Sequence, residues 1–289
     1  MATSAAALDE LVDLDRYPIH DPSSRRYLQA VADARSRLEV SGCALNKDFV
    51  RPEALPLFAR EIEKRKPQTH FSRQSINPYF HTEHNPEFPR DHPVNTFLER
   101  SSGFVPGDAW AGGCVNDSLF RAPEVARFLA DCLQVGALHC YADPLAGLTS
   151  NILDAGQVFT WHFDTNDFAV TLLVQEADDG GLFEYVPGIR SGADEGFGAI
   201  ADILAGGRRD VVSLDLQPGD LQIFKGRYSL HRVTRVGAGS RPRHAAIFAY
   251  TEQPNVIGRV ERTQQLFGRV LPEHVAAESS RVRSDDLLD

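Results

Sequence analysis

Two periods of apolar spacing divide this chain. Over 25–41, Leu28, Val31, Ala32, Ala34 and Leu38 recur at helical spacing, with Asp21-Pro22 and two serines ahead as a cap and Gly42 as a stop. A second amphipathic helix follows Arg51-Pro52 as far as about Lys64, its stripe formed by Leu55, Leu57, Phe58 and Ile62. CALNKDFV between them reads as a short strand or extended link. A third helix covers 122–136, with Val125, Phe128, Leu129 and Leu133 inward. Downstream the pattern changes to short apolar runs at 147–153, 158–164, 169–175, 182–186, 211–216, 221–224, 229–236 and 245–251, broken by Gly, Pro and Asp. Such a succession suits a jelly-roll-like closed sandwich, and the preceding helices would brace one of its sheets. The predicted class is therefore mainly β with flanking helices (α+β).

Between the second and third helices, 66–108 shows little periodicity and holds four of the ten histidines. Its aromatics (Phe71, Tyr79, Phe80, Phe88, Phe97, Phe104) predict a packed lid rather than a disordered tract. His81-x-x-His84 lacks the cysteines or helix that would favour a separate zinc site. The insert 190–210 carries one short helix with glycine-rich joints, and LQPGDLQIF is a tight turn between strands. The reading is one domain over 1–289: helices and lid at 1–139, a β core at 140–255, and a C-terminal extension at 256–289.

The candidate chemistry lies in QVFTWHFDTNDFAVTLLVQ, a strand that ends in a polar turn before a more apolar strand. Side chains repeat with period two along a strand, so His162 and Asp164 share a face. An imidazole and a carboxylate at a strand end supply two members of a 2-His-1-carboxylate triad, which holds Fe(II) and leaves positions open for substrates. His231, in RYSLHRVTRV, is the third candidate on a distant strand. The plainer alternative is a set of unrelated polar side chains at strand ends.

After His231 comes a Gly/Ser turn and then a strand opening with Arg241 and Arg243. The ordered set His162-x-Asp164, His231 and an arginine before an apolar strand resembles the Fe(II)/2-oxoglutarate-dependent dioxygenase superfamily, whose fold is a double-stranded β-helix. That resemblance spans roughly 140–255. HNPEFPRDHP and WHFDTNDFAVTLLVQ are similar, less specifically, to its branch of free-amino-acid hydroxylases and halogenases.

The resemblance implies Fe(II), 2-oxoglutarate and O2, with an arginine fork holding the distal carboxylate of 2-oxoglutarate. Arg243 is favoured for this, because with Ala245 and Ile247 it would face the interior; Arg241 precedes Pro242 and belongs more naturally to the turn. Thr171 or Asn151 would assist. Arg100, with Arg73 as alternative, is expected to grip a substrate carboxylate, and Asp143, Asn166, Asp167 and Trp161 to line the pocket; the core is the stronger reading of Trp161, and the surface of Arg227. Halogenases of the branch carry Gly or Ala where Asp164 stands, so the carboxylate implies hydroxylation, desaturation or cyclisation.

Composition narrows the partners. The net charge of −10 leaves no basic surplus for nucleic acid or an anionic membrane. Cys43, Cys114, Cys132 and Cys140 form no C-x-x-C pair and read as reduced thiols. The acidic start MATSAAALDELVDLD does not resemble a signal peptide, and no apolar run is long enough to span a bilayer, which predicts a soluble cytoplasmic protein. A small-molecule substrate, an amino acid or a derivative, is expected; oligomeric state stays open. The competing readings are a cupin-type metal enzyme that does not use 2-oxoglutarate and a non-catalytic binding barrel.

Overall fold

A computed structural model of the protein describes residues 8–110, 112–278 and 287–288. In chain order, the one-turn α1 (Leu8–Leu11) leads to α2 (Arg25–Ser41) and β1 (Cys43–Asn46). The Ser24 hydroxyl accepts the Tyr27 N–H at the start of α2, and Gly42 closes the helix at φ 65°, a conformation glycine adopts without strain. Tyr27, Val31, Ala34 and Leu38 form its buried stripe, whereas Leu28 turns out to solvent. Next come α3 (Leu55–Arg65), β2 (His70–Ile76), β3 (Leu98–Val105), α4 (Val115–Arg121) and α5 (Pro123–Leu133). The strands β4 (His139–Cys140), β5 (Leu148–Leu153), β6 (Phe159–His162), β7 (Ala169–Gln175) and β8 (Phe183–Val186) precede α6 (Phe197–Leu204). The chain continues with β9 (Val212–Ser213), β10 (Leu221–Phe224), β11 (Leu230–Val233), β12 (Arg243–Phe248), β13 (Tyr250–Thr251), α7 (Val260–Phe267) and α8 (Pro272–Glu278).

The strands form an antiparallel seven-stranded sheet ordered β1-β10-β7-β12-β5-β3-β2 and a four-stranded sheet ordered β6-β11-β8-β9, with β13-β4 as a separate pair. Neighbours far apart in sequence, such as β5 beside β12, are consistent with a jelly-roll winding. A bridge between Ser101 and Val158 ties the sheets together at one edge.

The seven-stranded sheet has two unlike faces. Outward, Val170, Leu172, Val174, Leu221, Ile223, Ala246 and Phe248 join Val31, Leu38, Phe58, Ile62, Leu119 and Phe128 of the helices in one core. Inward, cross-strand registers place Asn151 opposite Ala245, Thr149 and Thr171 opposite Ile247, and Gln222 opposite Thr171. Alternation along the strands thus buries one face under helices and turns the other to the second sheet.

The proposed lid needs correction. β2 and β3 lie within 66–108 and pair along their whole length at the sheet edge. HFSRQSI and LERSSGFV hid them, because an edge pair with one polar face carries little apolar periodicity. Only 77–97 stays irregular, apart from a turn at Pro93–Asn95, and it is packed: Asn95 Nδ2 donates to the carbonyls of Asn85, Phe88 and Pro89. The extension at 256–289 also holds two helices, α7 and α8. No described helix is long and apolar enough to cross a membrane, and all four cysteines are free thiols.

Candidate metal centre

His162 ends β6 and His231 lies directly opposite it on β11. A register shift beside this pair sets Val233 against Phe159, so Phe159 and His162 reach the interior together although three positions apart. The Phe159 ring stacks on His162 at 4.1 Å, with 10° between the planes. Asp164 lies just past the strand end, its N–H donating to the Gly226 carbonyl at 3.2 Å. Its Oδ1 comes to 3.4 Å from His231 Nε2 and 4.0 Å from His162 Nε2. Among the described residues these three form the one cluster of metal-ligating side chains.

The surroundings settle which atoms face the centre. His162 Nδ1 lies 2.7 Å from the Thr160 carbonyl and His231 Nδ1 lies 2.9 Å from that of Ser229. A carbonyl only accepts, so each ring donates from Nδ1 and turns an Nε2 lone pair toward Asp164. Burial, and then the proximity of His231, holds His162 well below the ordinary histidine range, which keeps it neutral. Burial pushes Asp164 upward, but His231, His162 and Arg262 together outweigh it and hold the carboxyl below its usual range. The Asp164 Oδ2 is buried without a hydrogen-bond partner. Gly226 is the cradle for this oxygen: a Cβ there would lie 1.8 Å from it. Two imidazole Nε2 atoms and a carboxylate, one of whose oxygens is unpartnered, fit a divalent iron ion.

The cluster opens on a cavity of about 650 Å³, walled by Phe80, Thr149, Phe159, Ile247, Arg227, Arg262, Leu266 and Phe267 among others. Phe80 holds its ring edge-on to His162 from a left-handed backbone conformation, φ 68°, that bulky residues rarely adopt. Arg262, on α7, stacks its guanidinium 3.3 Å from the centre of the Phe80 ring.

Two further arginines are buried on the inner side. Arg243 lines a second cavity of about 300 Å³ together with Phe183, and Phe183 packs 5.7 Å from the His231 ring. Arg100 sits in a box of Phe80, Phe104 and Phe159, bonded to Ser72 Oγ, with Nε and Nη2 unpartnered. Burial lowers each guanidinium to about 10, leaving both charged at neutral pH. Arg100 is therefore one aromatic ring, Phe159, away from His162, while Arg243 shares its cavity with a ring that packs beside His231.

The other candidates separate by position. Thr171 and Asn151 lie on the inner face with Arg243, and Asn151 Nδ2 donates to the Gly103 carbonyl. Asn166 and Asp167 line the large cavity at its rim. Arg241 is on the outside, paired with Glu176 and Asp178, and Arg73 is exposed beside Glu99. Asp143 corrects the expectation of a pocket-lining group: both its oxygens are taken up by the chain's own donors, leaving none for a substrate. Trp161 packs in the core with Phe163 and Val186. Arg227 is the reverse correction. It is buried, donates to the Thr165 carbonyl and lines the cavity. The α7 residues Arg262, Leu266 and Phe267 were missed altogether; the spacing of Thr263, Leu266 and Phe267 was the signal available for a buried helix face.

Fold and centre together define the class: the chain has the fold of the non-heme, 2-oxoglutarate-dependent iron enzymes. An epimerase of this kind, SnoN from nogalamycin biosynthesis, is 12% identical over 78% of this chain and 83% of its own, with a TM-score of 0.52. That epimerase has also been seen with Fe3+, alpha ketoglutarate and nogalamycin RO bound. AviO1 from Streptomyces viridochromogenes Tue57 is 14% identical, covering 78% of this chain and 96% of its own, with a TM-score of 0.51. At the level of sequence, residues 111–267 match the Halogenase D family model, and the chain belongs to that family. No curated protein matches it in sequence.

Proposed function

We propose that the protein is an Fe(II)/2-oxoglutarate-dependent oxygenase that abstracts hydrogen from an unactivated C–H of a small substrate, a free amino acid or derivative, in the cytoplasm. The observation that carries this reading is the gathering of two Nε2 atoms and the Asp164 carboxylate within 4.8 Å of one another beside a cavity. His162, Asp164 and His231 would hold the iron, which supplies O2 activation when bound. In the overall balance one atom of O2 leaves in succinate with loss of CO2 from 2-oxoglutarate, and the other enters the substrate as hydroxyl; desaturation or cyclisation are the alternative outcomes.

The chain's own part is placement. Arg243 is the anchor for the distal carboxylate of 2-oxoglutarate, with Thr171 and Asn151 on the same face. Arg100, charged and partly unpartnered beside Phe159, serves a substrate carboxylate, and Asn166 and Asp167 border the large cavity. Phe80 and Phe159 keep water from the faces of His162. A cupin chemistry without 2-oxoglutarate gives no task to a buried Arg243, and a binding-only barrel gives none to the triad.

Halogenation is the second reading, favoured by the family match. Asp164 stands against it, because its carboxylate fills the place a halide would need. The deciding experiment is an anaerobic titration of Fe(II) and 2-oxoglutarate, followed by a succinate assay over free amino acids in chloride buffer. The expected result is a weak visible charge-transfer band and products heavier by one oxygen or lighter by two hydrogens. A chlorine isotope doublet would select the second reading, and absence of both band and succinate would end the first.

A further inference from the structure

Asp143 receives donors from three parts of the chain. Its Oδ1 accepts the N–H groups of Leu145 and Ala146 at 2.7 and 2.8 Å, within its own loop. Its Oδ2 accepts the Gly258 N–H at 2.7 Å and lies 3.0 Å from His274 Nε2. The carboxylate and the imidazole are both fully buried. His274 Nδ1 accepts the Leu271 N–H at 3.1 Å, so its proton resides on Nε2 and is donated to Asp143. Gly258 precedes α7 and His274 follows it. One buried carboxylate therefore holds both ends of that helix against the β core, and Gly258 has no room for a side chain there: a Cβ would lie 2.5 Å from Oδ2.

Between these two attachments, α7 turns Arg262, Thr263, Leu266 and Phe267 into the cavity that also contains His162 and Asp164. Gln265 Nε2 donates to the Phe80 carbonyl, and Phe267 meets Phe104 edge to face at 6.2 Å. The other cavity wall near this helix comes from Tyr141 and Ala146, in the same loop as Asp143.

We propose that Asp143 and His274 are positioning residues that clamp α7 and thereby set the substrate side of the cavity, while the iron and 2-oxoglutarate positions are held by residues outside α7 and α8. The kinetic arm of this inference rests on the oxygenase reading above; the structural arm does not.

The test compares wild type with His274→Leu, which fills the space without the donor, and with His274→Gln, which restores one. Hydrogen–deuterium exchange is followed over 258–274 in the metal-free protein. Steady-state kinetics use the iron-loaded enzyme and the free amino acid giving wild type its fastest succinate release. His274→Leu is expected to speed exchange across α7 and raise KM for the amino acid about tenfold, leaving kcat and KM for 2-oxoglutarate within about twofold. His274→Gln should recover most of both effects. If His274→Leu does not fold, Gly258→Ala, which presses on Asp143 from the other end, should give the same pattern. Unchanged exchange, or faster exchange with unchanged KM for the amino acid, overturns the clamp, as does equal loss in the Leu and Gln variants. If wild type forms no succinate with any amino acid, the oxygenase reading fails and the exchange comparison alone decides the clamp.

Discussion

Along β7, Val170, Leu172 and Val174 pack outward against the helices, while Thr171 and Leu173 turn toward the second sheet. β12 divides in the same way, with Ala246 and Phe248 outside and Arg243, Ala245 and Ile247 inside. The outer face is a mostly apolar interface, interrupted by the buried Ser150 and His244, whose task is cohesion. The inner face gives up part of that cohesion, since Thr149, Asn151, Gln222 and Arg243 are buried polar groups there. Two demands, stability and chemistry, thus fall on alternate residues of the same strands, and a substitution's register position predicts which demand it touches.

The largest expected break in this division is at the centre. His162→Ala, or Gly226→Ala acting through displacement of Asp164, should abolish iron retention and turnover while far-ultraviolet circular dichroism stays that of wild type; metal analysis and a succinate assay check it. On the outer face, Leu172→Ala should lower unfolding free energy by about 2–5 kcal/mol, read by urea denaturation, with KM for 2-oxoglutarate unchanged. Arg243→Met should do the opposite, raising that KM about 10- to 100-fold, as loss of a charged hydrogen bond implies. Arg241→Met, already paired at the surface, should leave it unaltered.

The smallest effect sharpens the contrast through pH. His244 is buried on the outer side, and burial, followed by Lys66, lowers it to about 4. Glu63, 3.6 Å away, is half exposed and does not offset this. The unfolded chain binds a proton near 6.5 and the folded one does not until about 4. The site's contribution is therefore complete above 6.5 and lost as pH falls toward 4, on the order of 1 kcal/mol between pH 7 and 5.5. His244→Phe should flatten the acid limb of Tm against pH relative to wild type. An identical limb in both proteins would remove His244 from the account.

Legibility in the sequence followed the same division. Helices α2, α3 and α5 and the strands around 148–153, 169–175 and 221–224 were readable because their apolar residues meet a greasy neighbour at regular spacing. H-x-D was readable because its spacing is that of two side chains on one strand face, although Asp164 lies just past the end of β6. β2 and β3 were not, since the polar residues on their inner face, Ser72, Gln74, Arg100 and Ser102, mask the alternation. Asp143 was misread because a buried acid and a pocket acid look alike until their donors are known. Arg262 was invisible because its place depends on how the C-terminal residues fold back, a matter of contacts distant in sequence.

His162 and His231 face each other across a single pair of hydrogen-bonded strands. If β6 slid by one position against β11, alternation would carry its imidazole to the far side of the sheet. A mispaired chain would thus lack a working centre altogether instead of having a weakened one, and competence to hold a divalent ion becomes a sensitive reporter of correct strand pairing.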